Sequence, residues 1–144
     1  MKQRKLKSRK PLWPLQSQCM TFYGDPRKPG WLHDNTTDVP VPWQLIYEGK
    51  PIASHILIHK RCADSLARVL QAIWNGVHQD PHEISRRHYD HYSGSYNFRV
   101  MRGGHALSMH SYACAIDFYD EANEFHQRPK TKSGFPIELW CTKV

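Results

Sequence analysis

Nowhere in its 144 residues does this chain hold a long unbroken apolar run. A helix needs about 20 such residues to cross a bilayer, so a helical membrane span is excluded. The basic start is followed by PLWPLQSQ, without an apolar stretch or a small-residue cleavage site. A secretory signal is therefore not expected, and the protein is expected to be cytoplasmic as made. There is no CxxC pair either: Cys19, Cys62, Cys114 and Cys141 are irregularly spaced. That spacing speaks against a disulfide framework and for reduced, mostly structural thiols. Internal repeats, low-complexity tracts beyond the first ten residues and an alternating strand–helix rhythm are all missing, which removes solenoids and parallel α/β folds from consideration.

Acid is missing from one place in particular. Residues 1–10 (MKQRKLKSRK) carry six Lys or Arg and no carboxylate, leaving 14 basic and 13 acidic side chains for the rest. The formal charge of +7 is thus the property of an arm, and the remainder is nearly neutral. A basic arm can touch nucleic acid or an anionic polymer. A solvated, disordered terminus is the plainer expectation. Nucleic acid is not the expected partner.

What is present indicates a single domain over residues 11–144. Hydrophobic residues at 40% suit a globular chain of this length. Residues 11–43 are rich in Pro, Trp and turn residues and read as an irregular wrap, anchored by Trp13, Phe22, Tyr23, Trp31 and Trp43, with turns at Gly24-Asp25-Pro26 and Pro29-Gly30. Gln44–Tyr47 and Ile52–Ile58 flank Glu48-Gly49-Lys50-Pro51, the pattern of a hairpin. Cys62, Leu66, Val69, Leu70, Ile73, Trp74 and Val77 form one stripe of an amphipathic helix. A polar stretch follows, then strands are expected at Tyr96–Met101 and Cys114–Tyr119, separated by a turn at Arg102-Gly103-Gly104. The expected class is α+β: a small antiparallel sheet with one long helix packed on it.

The segment LSMHSYACAID, residues 107–117, carries the most chemistry. Zinc accepts imidazole nitrogen and carboxylate oxygen, and a catalytic site uses three protein ligands and a water. On a strand over 114–119, Ala115, Asp117 and Tyr119 share one face while Cys114, Ile116 and Phe118 share the other. His110 lies seven residues before Asp117, an odd number, so a bend near Ser111–Ala113 is needed to bring the two together. By spacing alone the pair is more often incidental than a metal site.

From Ser108 through Asp117 the chain resembles the SxHxxGxAxD motif of zinc peptidases of the D-alanyl-D-alanine carboxypeptidase and L-alanyl-D-glutamate endopeptidase family. Ser108, His110, Ala115 and Asp117 match it. Tyr92-Ser93-Gly94-Ser95-Tyr96-Asn97-Phe98-Arg99 and Arg102-Gly103-Gly104 look like the lead-in of phage and prophage members, and WPLQSQCMTFYG and the PW…HKRCADSL stretch are similar more loosely. The resemblance implies a zinc ion held by His110, Asp117 and a later ligand, with a carboxylate as general base. It implies peptidoglycan peptides as substrate and a monomeric, phage-type wall-degrading hydrolase acting after release. Arg99 becomes a candidate for a substrate carboxylate or the developing oxyanion. Ser108 is expected to orient the loop, and His105 to line the cleft, both on the substrate side.

The chain departs from the pattern in three ways. The motif glycine is Ala113; if that position needs positive φ, alanine costs roughly 1 kcal/mol or more. Cys114 follows and reads as a small core residue. Past Asp117 the only histidine is His126, and Glu138 and Cys141 mimic a Glu-x-x-His spacing with cysteine in the ligand place. Three possibilities stand for the third ligand: Cys141 with Glu138 as base, His126, or none in this chain. The expectations are therefore a zinc-dependent peptidase-like domain or, alternatively, an inactive remnant of that fold, cut short before its last segment, acting at most as a binding module. His55 with His59, and His88 with His91, have spacings that suit paired ligands on a helix, but surface histidines are the expectation for most of the ten.

Overall fold

The computed structural model describes residues 13–119, and its longest element is the helix that the apolar stripe requires. In chain order it contains a 3-10 turn (Gln16–Gln18), α1 (Cys19–Tyr23), α2 (Trp31–Asn35), β1 (Thr36–Pro40), β2 (Leu45–Tyr47), β3 (Lys50–Ile52), β4 (His55–His59), α3 (Lys60–Gly76), α4 (Pro81–Arg86), β5 (Tyr92–Gly94), a second 3-10 turn (Met109–Tyr112) and β6 (Asp117–Phe118). The strands form three two-stranded antiparallel ladders, β1 with β4, β2 with β3 and β5 with β6, and α3 packs on β1 and β4. The class is α+β. Among the described residues no helix is long and apolar enough to cross a membrane.

The hairpin is shorter than its sequence suggests. Leu45–Tyr47 pairs with Lys50–Ile52 alone of the expected second strand, around Glu48 and Gly49, both at positive φ (48° and 73°). Two successive left-handed residues match the right-handed twist of a tight hairpin. The rest of the expected second strand, His55–His59, pairs instead with Thr36–Pro40, inside the segment expected to be irregular. Thr36, Val39 and Val41 turn inward there while Asp38 and Pro40 stay out. Another difference is α4, inside the polar stretch after α3. Asp80 caps it by accepting from the His82 N–H at 2.8 Å, and Pro81 occupies the first helical position, where its missing N–H is harmless.

Two apolar clusters result. The larger holds Val39, Trp43, Leu45, Ile56, Ile58, Leu70, Val77, Ile84 and Tyr89, with Cys62, Leu66, Ile73 and Trp74 of the α3 stripe packed partly buried against it. Each fully buried aliphatic side chain contributes about 1.5–3 kcal/mol of transfer free energy. The smaller cluster joins Cys19, Tyr23 and Trp31 of the N-terminal segment to Tyr112, with Phe22, Met109 and Cys114 around them. The expected aromatic anchors Tyr23, Trp31 and Trp43 are buried, whereas Trp13 is exposed. Gly24 makes this cluster possible. It sits at φ 85°, and a Cβ there would stand 2.8 Å from Trp31 Nε1, whose N–H donates to the Tyr23 carbonyl at 3.0 Å. The N-terminal wrap is thus seated directly beside the 3-10 turn that carries His110.

Candidate metal centre

The turn is built by its own serines. Ser108 has extended backbone and its hydroxyl accepts from the His110 N–H at 3.3 Å, capping the 3-10 turn Met109–Tyr112. The turn ends at Ala113 in the left-handed region, φ 50°, where the motif has glycine. The expected bend is therefore this turn and its left-handed end. Ser111 is fully buried; its hydroxyl accepts from the Arg99 N–H at 2.9 Å and donates to the Arg99 carbonyl at 2.8 Å. The Ser108 N–H also donates to that carbonyl, at 2.9 Å, and the His59 N–H donates to the Ala113 carbonyl at 2.6 Å. Main-chain freedom is removed on both sides of His110.

The His110 ring is then oriented by one contact. Its Nδ1 lies 3.0 Å from the Ser95 carbonyl oxygen. A carbonyl only accepts, so Nδ1 carries the proton and Nε2 is directed elsewhere. Nε2 stands 3.3 Å from Asp117 Oδ2. The strand that delivers Asp117 is short. Tyr92 pairs with Phe118 and Gly94 with Asp117, two steps on β5 against one on β6, so β5 is bulged between them. Gly94 takes φ 131° at this bulge, and such irregularities re-aim a neighbouring side chain. Ile116 and Phe118 pack against the larger core while Asp117 faces outward, as alternation requires.

An imidazole lone pair and a carboxylate oxygen repel unless positive charge lies between them. Either a second ring proton or a cation meets that need. The separation fits a cation: ligand bonds of about 2.0–2.1 Å at a tetrahedral angle put two ligand atoms about 3.3 Å apart. The His110 contact with a backbone carbonyl is also the usual outer contact of a metal-ligating imidazole. The His110 side chain is 13% exposed and that of Asp117 55%, so the pair opens to solvent on the carboxylate side. Among the described residues no group of three His, Cys, Asp or Glu is placed to hold a metal ion. The three residues weighed as completing the site, His126, Glu138 and Cys141, lie outside the described residues, as do residues 1–10.

Cys114 is not placed to help. Its Sγ contacts the Met109 carbonyl at 3.3 Å within the smaller core, and burial pushes its thiol up to about 12, so it stays protonated at neutral pH. Arg99 is half-buried, its main chain held by Ser111, and its guanidinium makes no ion pair among the described residues. Ser108 is buried, which suits the loop-orienting role; His105 is exposed in the turn that precedes it. That turn does not join two regular strands. The expected strand Tyr96–Met101 reduces to a single Val100–Leu107 bridge with flanking hydrogen bonds, and its Asn97 and Arg99 N–H groups donate instead to the His110 carbonyl and the Ser111 hydroxyl.

Three residues that order this site carry no signal in the motif: Ser95, Ser111 and His59. His59, whose spacing from His55 would suit a ligand pair on a helix, is instead buried at the end of β4. Its Nε2–H donates to the Tyr23 carbonyl at 3.0 Å, and its Nδ1 accepts from the Arg61 N–H at 3.1 Å, capping α3. Set against known proteins, the chain matches no family model, no curated protein and no solved structure.

Proposed function

We propose that this chain is a zinc-dependent peptidase-like domain directed at peptidoglycan peptides, with His110 and Asp117 as two of its metal ligands. The observation that carries the reading is the His110 Nε2–Asp117 Oδ2 approach of 3.3 Å, with the opposite ring nitrogen committed to the Ser95 carbonyl. A bound zinc ion would supply an activated water and polarise a scissile carbonyl. The chain's own part is to fix the imidazole tautomer, present a carboxylate at a solvent-open edge and hold the 97–99 segment beside it. Arg99 is the cation whose main chain is bonded to Ser111 of the Met109–Tyr112 turn, and a guanidinium suits a peptide carboxylate.

The test is zinc content and hydrolysis of cell-wall peptides, measured together in the full chain, in His110→Ala and in Asp117→Ala. The expected outcome is bound zinc in the native chain and a loss of at least tenfold in affinity in either variant, since each removes one of few ligands. Peptide release by the native chain and not by the variants supports the enzyme. Zinc without turnover assigns the alternative, a binding module on an inactive fold. Equal zinc in all three chains overturns the reading.

A further inference from the structure

Ser95 is buried to 3% exposure and does more than offer its carbonyl to His110. Its hydroxyl donates to the Leu57 carbonyl on β4 at 2.6 Å and accepts from the Tyr92 hydroxyl at 2.9 Å. The result is a directional chain of donors, Tyr92 O–H to Ser95 Oγ–H to Leu57 C=O, in which each bond polarises the next. Burial pushes the Tyr92 phenol up, so it remains a donor at neutral pH. Tyr92 is also the residue opposite Phe118 on β6, with ring centroids 6.1 Å apart, one position from Asp117. One serine therefore ties the His110 ring, the strand bearing Asp117 and the β1–β4 ladder to a common point.

We infer that Tyr92 and Ser95 are positioning residues that set the affinity of the His110–Asp117 pair for a divalent cation, by locking the His110 tautomer and the spacing between the two side chains. The inference rests on the proposed metal reading for its cation, but its structural half does not. Removing the Tyr92 hydroxyl takes away the donor that polarises the Ser95 hydroxyl and so weakens its bond to Leu57, and removing the Ser95 hydroxyl breaks that bond. The Ser95 main chain, and with it the carbonyl under His110, then loses its tether. Outer contacts of this kind typically change metal affinity by about 10- to 100-fold.

The experiment uses the full chain with Tyr92→Phe and Ser95→Ala, and Tyr92→Phe decides if Ser95→Ala does not fold. Two readouts are taken: the ring-nitrogen chemical shifts of His110 in the metal-free protein, which report its tautomer, and titration with zinc and with cobalt, whose visible spectrum reports ligand geometry. The native ring is expected as the Nδ1–H form. Tyr92→Phe is expected to mix in the Nε2–H form, to weaken zinc binding by about tenfold and to change the cobalt spectrum, at little cost in melting temperature. A native chain that binds neither metal, with the tautomer still disturbed by Tyr92→Phe, overturns the function proposed above and leaves the positioning role standing. Native tautomer together with native metal binding in Tyr92→Phe overturns the positioning role.

Discussion

His59 and His110 each give one ring N–H to a main-chain carbonyl 3.0 Å away, that of Tyr23 and that of Ser95. They part company at the second nitrogen. In His59 it accepts the Arg61 N–H at the start of α3, so the ring is satisfied on both sides by backbone and buried among Tyr23 and Trp31. In His110 the second nitrogen faces a half-exposed carboxylate. The first arrangement uses an imidazole as a double-ended clamp that joins the N-terminal wrap to the body. The second leaves one end without a backbone partner, turned to the carboxylate with which it is proposed above to hold a cation. Burial and a carbonyl partner do not by themselves separate the two arrangements; the occupant of the other nitrogen does.

Replacing each ring with a methyl group should separate the two roles by the largest margin. His59→Ala removes the α3 cap, leaves the buried Tyr23 carbonyl without its donor and opens a cavity, and should cost about 3 kcal/mol. His110→Ala in the presence of a chelator loses one carbonyl contact and the contact with the half-exposed Asp117, and should cost about 1 kcal/mol. Urea unfolding with chelator and with zinc checks both. Only the native chain and His59→Ala should gain stability from zinc, because a ligand that binds the folded state raises its stability by mass action. Equal costs for the two substitutions in chelator would erase the distinction between clamp and free end.

Acid offers a second, smaller way to sharpen it. Burial holds the His59 pKa below the ordinary imidazole value of 6.5, with Arg61 and Lys60 acting in the same direction against the opposing Tyr23 hydrogen bond. A proton on Nδ1 would also displace the Arg61 N–H. The unfolded chain therefore takes up this proton at a higher pH than the folded one. The His59 contribution is complete above about 6.5 and declines as the pH falls through its lower folded value. The partly exposed carboxylates Asp25 and Glu83 are held near 2, Asp25 by its hydrogen bonds to Arg27 and Glu83 by those to Arg86 and Arg87, so their loss lies at far lower pH. His59→Asn keeps a helix-capping side chain without a titrating group. Its stability should be flatter than that of the native chain between pH 7 and pH 5, and an unchanged slope would show that His59 does not set it.

How far the sequence reveals this depends on whether a residue's partner is local. The α3 stripe, the outward aspect of Asp117 between Ile116 and Phe118, and the bend after His110 follow from spacing, because periodicity and turn chemistry act over a few residues. The α4 cap was equally local: Asp80-Pro81 is a helix start, hidden only by the polar surroundings. Partnering by distant backbone is another matter. His110 is oriented from 15 residues away and His59 from 36, each by a carbonyl that every residue possesses. No side-chain pattern marks Ser95 or Tyr23 as the donor's target. The same holds for β1: TTDVP carries no strand alternation, and Thr36–Pro40 is extended because His55–His59 lies beside it.

The smallest expected effect falls on the residue that links the two histidines. Ala113 donates its N–H to the His110 carbonyl at 3.1 Å and accepts the His59 N–H. It holds φ 50°, a region that costs an L-residue roughly 1–2 kcal/mol. Its methyl is fully buried, and one buried carbon offsets about 0.8 kcal/mol of that cost. Ala113→Gly removes both terms, and its added unfolded-state entropy takes back part of what is gained. The net expectation is a change within about 0.5 kcal/mol of zero in urea unfolding, with zinc affinity unchanged because neither ring loses a partner. A loss of more than about 1 kcal/mol would mean that burial of the methyl, rather than backbone strain, governs this position. The alanine would then be part of the clamp at His59 and not a defect in the turn at His110.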